Sequence, residues 1–377
     1  MRYIIIVLMV IYTQIAEAQQ SSIVMSMPIR EQIIKDNVKT YESTDVIPFD
    51  TVPQMYYDDY FYDAYDELSN MLEGNIQYNL KRAEFLVEWA YFSGNVDYKA
   101  FCDSISLAVN VMNRFIRLMD IQHYKTAANA ALFNYFTKPG WMNGNKAFSY
   151  DVEDCGGEKD ITKLFVSKVI KTHSGQCSSL PIYYKILCNE LGGKAYLATA
   201  PRHMYIKHIG EDGRWVNVEL TTGSFARDEW YIQSMGVSTE AIKNGVFLTA
   251  MSDNEEVAYM IYMLGIAYQR KYRDNDYFAL LCANRILDTL PHNYLALHLL
   301  IETLHQCGYD YVHTIGEVPS HYIINNNQKY QSAIAILESI GYTELTEKEY
   351  IKKVEKGYNY IGKNTSSSWD EFKSRNR

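Results

Sequence analysis

His173-Ser174-Gly175-Gln176-Cys177-Ser178-Ser179-Leu180-Pro181 is the stretch on which the reading of this chain turns. It carries a cysteine to the point where a Gly-containing loop enters a helix, expected over residues 178–191 and stopped by Gly192-Gly193. Free N–H groups and the positive end of the helix macrodipole stabilise an anion at such a point. An ordinary thiol, of pKa near ~8.5, is only a few per cent ionised at neutral pH, and a helix start with a nearby imidazolium lowers that value. The position therefore suits a nucleophile. A lone cysteine is more often a buried structural thiol, so the reading requires a base.

Three strand-like runs come next, at residues 194–199, 204–209 and 214–220, with Gly210-Glu211-Asp212-Gly213 as a hairpin turn between the last two. His203 begins the second run. Strand alternation puts His203, Tyr205 and Lys207 on one face and Met204 and Ile206 on the other. On the third run Trp215, Asn217 and Glu219 share a face. A two-residue turn would set Met204 opposite Glu219, which is the wrong parity. A three-residue loop with Gly213 in the left-handed conformation sets Glu219 opposite Tyr205 and diagonal to His203, within reach of a long side chain. A carboxylate there would orient the imidazole and stabilise its protonated form. Asn217, on the same face, is the alternative partner for the ring. The segment reads helix, strand, strand, strand, and the chain as a whole α+β.

Gly175-Gln176-Cys177-Ser178-Ser179-Leu180-Pro181, Ala200-Pro201-Arg202-His203-Met204-Tyr205-Ile206 and Asn217-Val218-Glu219-Leu220-Thr221 together resemble the transglutaminase-like superfamily, which is related to papain. The closest likeness is to its bacterial branch, with a GxCxSLP motif and a P-x-H strand. The resemblance covers roughly residues 163–227, under a fifth of the chain. It implies a catalytic set of Cys177 as nucleophile, His203 as base and Glu219 as orienting acid, with no cofactor and no metal. The family usually has Asp in the third position, and Glu is one methylene longer, so the backbone must compensate.

Around this core the sequence divides into a signal peptide at 1–18, an extended leader at 19–55, a helical region at 56–150, the core at 151–245 and a second helical region at 250–377. In the first helical region apolar residues recur at spacings of three and four, with helices expected near 68–72, 80–92, 98–119 and 124–136, before the Gly-rich loop 139–144. In the second, Gly265, Ala267 and Tyr268, then Ala279, Cys282 and Ala283, then Pro291, follow a tetratricopeptide-like pattern of which one repeat is legible. That region suits protein or peptide partners. The polar tail from Thr365 is expected to fray.

The amino terminus has Arg2 before an apolar run ending at Tyr12, then Ala16-Glu17-Ala18, which is a secretory signal with cleavage after Ala18. The run is short of the ~20 residues a membrane span needs, and no cysteine occurs until Cys102, so neither an integral span nor a lipid anchor is expected. The mature protein is expected outside the cytoplasm, where disulfides form. Cys102, Cys155, Cys177, Cys188, Cys282 and Cys307 match no metal or disulfide framework, leaving free buried thiols and one or two bridges as equal readings. The net charge of −9 over 377 residues, with no block of Lys and Arg, argues against nucleic acid as a partner.

Other residues read as structure. Cys188 lies mid-helix among Ile186, Leu187 and Leu191, His208 faces away from His203, and His173 reads as an exposed loop histidine. Residues 56–63, rich in Tyr and Asp, read as a helix start with aromatic packing before a ligand platform. Asp274-Asn275-Asp276 lacks the Gly and Glu of a calcium loop.

These residues support two functions. The first is cysteine acyl transfer on a protein or peptide amide, giving a peptidase or amidase with water as acceptor and a cross-linker with an amine. The Cys177 N–H would be one oxyanion donor, and the Trp141 loop is a source for the second. The other is an extracytoplasmic peptide-binding module that keeps the fold without the reaction. A weaker third is glycan binding through some of the 33 tyrosines.

Overall fold

A computed structural model describes residues 58–272, 277–315, 320–346, 349–350 and 352. The expected signal peptide, the leader, Tyr56-Tyr57, the 274–276 run and the tail from Thr365 lie outside the described residues.

Side-chain caps set the first three helices in place. Asp58 accepts from the Tyr60 N–H at 3.0 Å to start α1 (Asp59–Leu72). Asn79 does the same for α2 (Leu80–Tyr91) through the Arg82 N–H at 3.0 Å, and Asp97 for α3 (Tyr98–Leu118) through Ala100. α4 (Ala127–Thr137) is apolar almost throughout and is buried. Phe61 meets Tyr268 edge-on at 5.1 Å and is buried, while Tyr60 meets Trp89 likewise but stays exposed, so only part of the described aromatic run packs inward.

The middle of the chain supplies mixed structure. A two-residue strand β1 (Ser149–Tyr150) pairs in parallel with β2 (Ser174–Gly175), which comes directly after the short helix α5 (Val166–Thr172). Next is α6 (Ser179–Glu190), close to the expected span. Four strands then form an antiparallel meander: β3 (Tyr196–Ala200), β4 (His203–Ile209), β5 (Trp215–Glu219) and β6 (Ser224–Ala226). The last was not legible in the sequence. Two short helices, α7 (Asp228–Met235) and α8 (Thr239–Lys243), lead to α9 (Asp253–Tyr272), α10 (Tyr277–Thr289), α11 (Tyr294–Ile315) and α12 (Ser320–Ser339). The mixture of helices and a small sheet is α+β.

Each of the last four helices packs on the next, and α9 also packs on α1 and α2. Gly265 makes the first of these contacts close, since a Cβ there would stand 3.1 Å from Leu299 and 3.3 Å from Cys282. Lys271 reaches Asp58 at 3.1 Å and the Ser93 hydroxyl at 2.6 Å, tying α9 to the start of α1 and the end of α2. The helical regions before and after the sheet therefore share one core. Phe61 and Leu68, Leu187 and Ile206, and Tyr268 and Leu299 belong to the same packed cluster. Each such side chain, wholly buried, contributes about 1.5–3 kcal/mol.

The sheet separates this cluster from a smaller one. Leu197, Met204, Ile206 and Val218 face α6 and the large core. Ala198, Ala200, Tyr205 and Ala226 face the other way, against Tyr231, Phe247, Leu345, Tyr350 and Cys177. Strand alternation thus has apolar neighbours on both faces. The β4–β5 register pairs Ile206 with Val218 and Lys207 with Asn217, across a loop in which Gly213 has φ +82°. That is the three-residue loop, with the parity that puts His203 and Glu219 on one face.

Candidate active site

Cys177 sits just ahead of α6, on a loop pinned at both ends. Before it, the Asp151 N–H donates to the Gly175 carbonyl at 2.8 Å, extending the β1–β2 pairing. After it, the Gln176 N–H donates to the Ser179 hydroxyl at 2.9 Å and the Gln176 carbonyl accepts from Leu180. Gly175 is required by space, because a Cβ would fall 2.7 Å from Val169 Cγ2. Pro181 lies in the first turn of α6, where no N–H is needed.

His203 opens β4 after the tight turn Pro201-Arg202, in which Arg202 holds φ +56°. A non-glycine residue there costs on the order of 1 kcal/mol. The turn aims the Arg202 carbonyl at Cys177, whose Sγ donates to it at 3.7 Å. His203 Nε2 meets Glu219 Oε2 at 2.6 Å, and Nδ1 lies 3.0 Å from the Tyr350 hydroxyl. Cys177 packs in one cluster with Tyr350 and lies near enough to the His203 ring and the Tyr350 hydroxyl to influence the protonation of both. The three residues singled out in the sequence therefore meet.

Glu219 is held from every side. Its Oε1 accepts from the Thr221 N–H at 2.9 Å and the Thr221 hydroxyl at 2.6 Å, and its Oε2 accepts from the Tyr231 hydroxyl at 3.0 Å. Its burial alone would raise the carboxyl pKa, but His203 and Thr221 outweigh that and hold it below the usual range. Burial would likewise lower the imidazole pKa, yet the Glu219 charge and the hydrogen bonds to Cys177 and Glu219 raise it to about 10. The pair is an imidazolium beside a carboxylate. Asn217 does not orient the ring: its amide donates to the Ala226 carbonyl and to Asp228.

Four residues of this site were not singled out in the sequence: Thr221, Tyr231, Tyr150 and Tyr350. Thr221 stands two residues from Glu219 in a turn, a local side-chain-to-backbone pattern that the sequence does carry. The tyrosines come from β1, α7 and the segment after α12, and nothing in their local sequence marks them.

The other cysteines and histidines have structural places. Cys188 is fully buried, and burial pushes its thiol up to about 12. Cys102, Cys177 and Cys188 are free thiols. His208 faces away from His203 and, being buried, is pushed down to about 4. His173 is not an exposed loop residue: it caps α5 with φ +55° and stacks on Phe148 at 4.3 Å. Trp141 lies under Arg114 of α3. Among the described residues no group of three His, Cys, Asp or Glu side chains is placed to hold a metal ion, and no helix is long and apolar enough to cross a membrane.

Comparison with protein-family models, curated proteins and solved structures finds no match for this chain.

Proposed function

We propose that this chain is a transglutaminase-like cysteine acyl-transfer enzyme acting on amide groups of a protein or peptide. The observation that carries the reading is the buried Cys177–His203–Glu219 set, in which Glu219 grips Nε2 of His203 at 2.6 Å and the Cys177 thiol, just ahead of a helix, bonds to the carbonyl of Arg202, the residue before the base. In this reading the Cys177 thiolate attacks the amide carbon, forming the C–S bond. The amine leaves with a proton from the His203 imidazolium. Water, or a second amine, then attacks the thioester, gives a proton to His203 and releases the Cys177 thiolate, which restores the starting thiolate–imidazolium pair. Among the described residues no carbonyl takes the Cys177 N–H, which leaves it free to serve as an oxyanion donor. Glu219 is a positioning residue, since of the reacting groups it touches only the base.

The amino-terminal segment supports export of the mature chain, and the carboxy-terminal helices, tetratricopeptide-like in sequence, support a protein partner.

A second reading, a peptide-binding module without the reaction, is favoured by one observation. Cys177, His203 and Glu219 are all buried, at 8%, 4% and 0% exposure. The two readings separate on iodoacetamide alkylation of Cys177, monitored from pH 4 to 9 by peptide mass spectrometry in the wild type and in His203→Ala. Under the enzyme reading Cys177 alkylation persists at acidic pH and loses that persistence without His203. A rate that tracks an ordinary thiol in both proteins would leave the binding module.

A further inference from the structure

The chain after α12 returns to the site and covers it. We propose that residues 341–346 with Glu349 and Tyr350 form an autoinhibitory strap, which must lift before a substrate amide reaches Cys177. This rests on the acyl-transfer reading and adds its regulation.

The strap is attached at successive points. It leaves α12 through Gly341, φ +77°, where a Cβ would stand 2.6 Å from Glu240 Cβ and 2.7 Å from the Ala241 nitrogen, so glycine is needed for the chain to close on α8. The Ser238 hydroxyl donates to the Gly341 carbonyl at 2.8 Å. The Tyr342 ring stacks on Tyr294 at 5.3 Å. Glu344 bridges His298 of α11, at 3.2 Å, and Arg202, at 3.8 Å, and Arg202 also donates to the Leu345 carbonyl at 3.2 Å. The base's own neighbour in sequence thus holds the strap down.

Beyond Leu345 the strap turns through a capping box. The Thr346 N–H donates to Glu349 Oε2 at 2.9 Å and the Glu349 N–H to the Thr346 hydroxyl at 3.3 Å. The Tyr350 N–H closes the turn onto the Thr346 carbonyl at 2.9 Å. That turn points Tyr350 into the site, where its hydroxyl touches Nδ1 of His203 at 3.0 Å and the Tyr150 hydroxyl at 3.4 Å, and where Tyr350 packs in one cluster with Cys177. A hydroxyl on the free nitrogen of the base, from a residue packed with the nucleophile, stands where the scissile amide has to be.

Leu345 and Tyr350 of the strap are buried, but its bridge through Arg202 and Glu344 differs in kind from the site beneath. His203 and Glu219 have no exposed side-chain surface, whereas Arg202 and Glu344 are 33% and 38% exposed. Exposed ion pairs are weak individually. The strap can therefore open while the Cys–His–Glu set keeps its geometry.

The test is the rate of Cys177 alkylation by iodoacetamide, read by peptide mass spectrometry from pH 5 to 9 in the full chain. Wild type is compared with Tyr350→Ala, Gly341→Ala and Glu344→Gln, and the core thiol of Cys188 reports any general unfolding. Cys177 is expected to react at least tenfold faster in Tyr350→Ala and Gly341→Ala and several-fold faster in Glu344→Gln, with Cys188 silent. Glu344→Gln alters only the exposed bridge and decides the matter if the other two fail to fold. Equal Cys177 rates in wild type and variants would overturn the strap. The pH profile keeps the two ideas apart. Faster reaction confined to alkaline pH supports the strap and removes the catalytic reading; equal rates that persist at acidic pH do the reverse.

Discussion

Glu219 meets Nε2 of His203 at 2.6 Å with both side chains sealed from solvent, and three further hydrogen bonds leave the carboxylate no other orientation. An isolated buried charge is costly, and removing one member of such a pair costs about 3–5 kcal/mol. Glu219→Ala should lose stability on that scale in urea unfolding. Glu219→Asp should recover only part of it, because the shorter side chain stops short of Nε2 on an unmoved strand.

The same pair sets a pH dependence. The folded-state pKa of His203, about 10, lies above its ordinary value near 6.5, so its contribution is fully present below about 6.5 and is lost as pH rises through about 10. Glu219, held low, contributes above its ordinary range and loses that as pH falls through its folded-state value. NMR of the His203 ring should show imidazolium at pH 8 in the wild type and neutral imidazole in Glu219→Gln. A neutral ring in both would contradict the assignment.

Thr221 and Tyr231 act through Glu219. Thr221→Val and Tyr231→Phe each remove one hydroxyl donor and should cost about 1 kcal/mol. A double-mutant cycle of each with Glu219→Gln should give a coupling near that value. Additive losses would mean the hydroxyls serve packing alone.

A second acidic pair lies behind the loop that leads to Cys177. Glu84 and Glu88 of α2 are buried one turn apart, accepting from the Val166 N–H at 3.3 Å and the Ser167 N–H at 2.9 Å. Burial raises both, with Glu88 adding its charge to Glu84, and Glu88 stands near about 7. A carboxyl raised in this way favours folding less as pH climbs from about 4.5 through about 7. Urea unfolding at pH 5 and pH 9 should show a fall on the order of 3 kcal/mol from Glu88, to which Glu84 adds in the same direction. Glu84→Gln/Glu88→Gln should remove that part of the fall, leaving the shares of Glu256 and His203, which lose stability in the same direction as pH rises.

Gly175→Ala tests how tightly the Cys177 loop is seated. The added methyl would press on Val169, Leu180 and Ser179 at 2.7–3.0 Å. Overpacking of this kind costs about 1–3 kcal/mol. The thermal midpoint should fall accordingly, whereas a neutral substitution would show that α5 gives way.

Local rules reach a definite distance into this fold. Gly192-Gly193 stops α6 near the expected place, and Gly213 at φ +82° permits the three-residue loop that puts Glu219 on the face of His203. The short β6, and the β1–β2 pairing that brings Tyr150 to Cys177, were not legible because runs of two or three residues hold no periodicity to detect.

Taken alone, the sequence places the helix start at Cys177 and the alternation that sends Met204 and His203 to opposite faces, and narrows the hairpin to two loop lengths, between which the strand register decides. Each is a matter of neighbouring dihedral angles and spacing along one element. It takes the folded chain to establish that Tyr231 holds Glu219, that Arg202 holds Leu345 and that Tyr350 covers His203, a contact 147 residues apart in the chain. Such contacts depend on how α9 to α12 pack back onto the first helices and return the chain to the sheet. No local pattern encodes that path, because it is the sum of many apolar contacts, each weak and none specific to its partner.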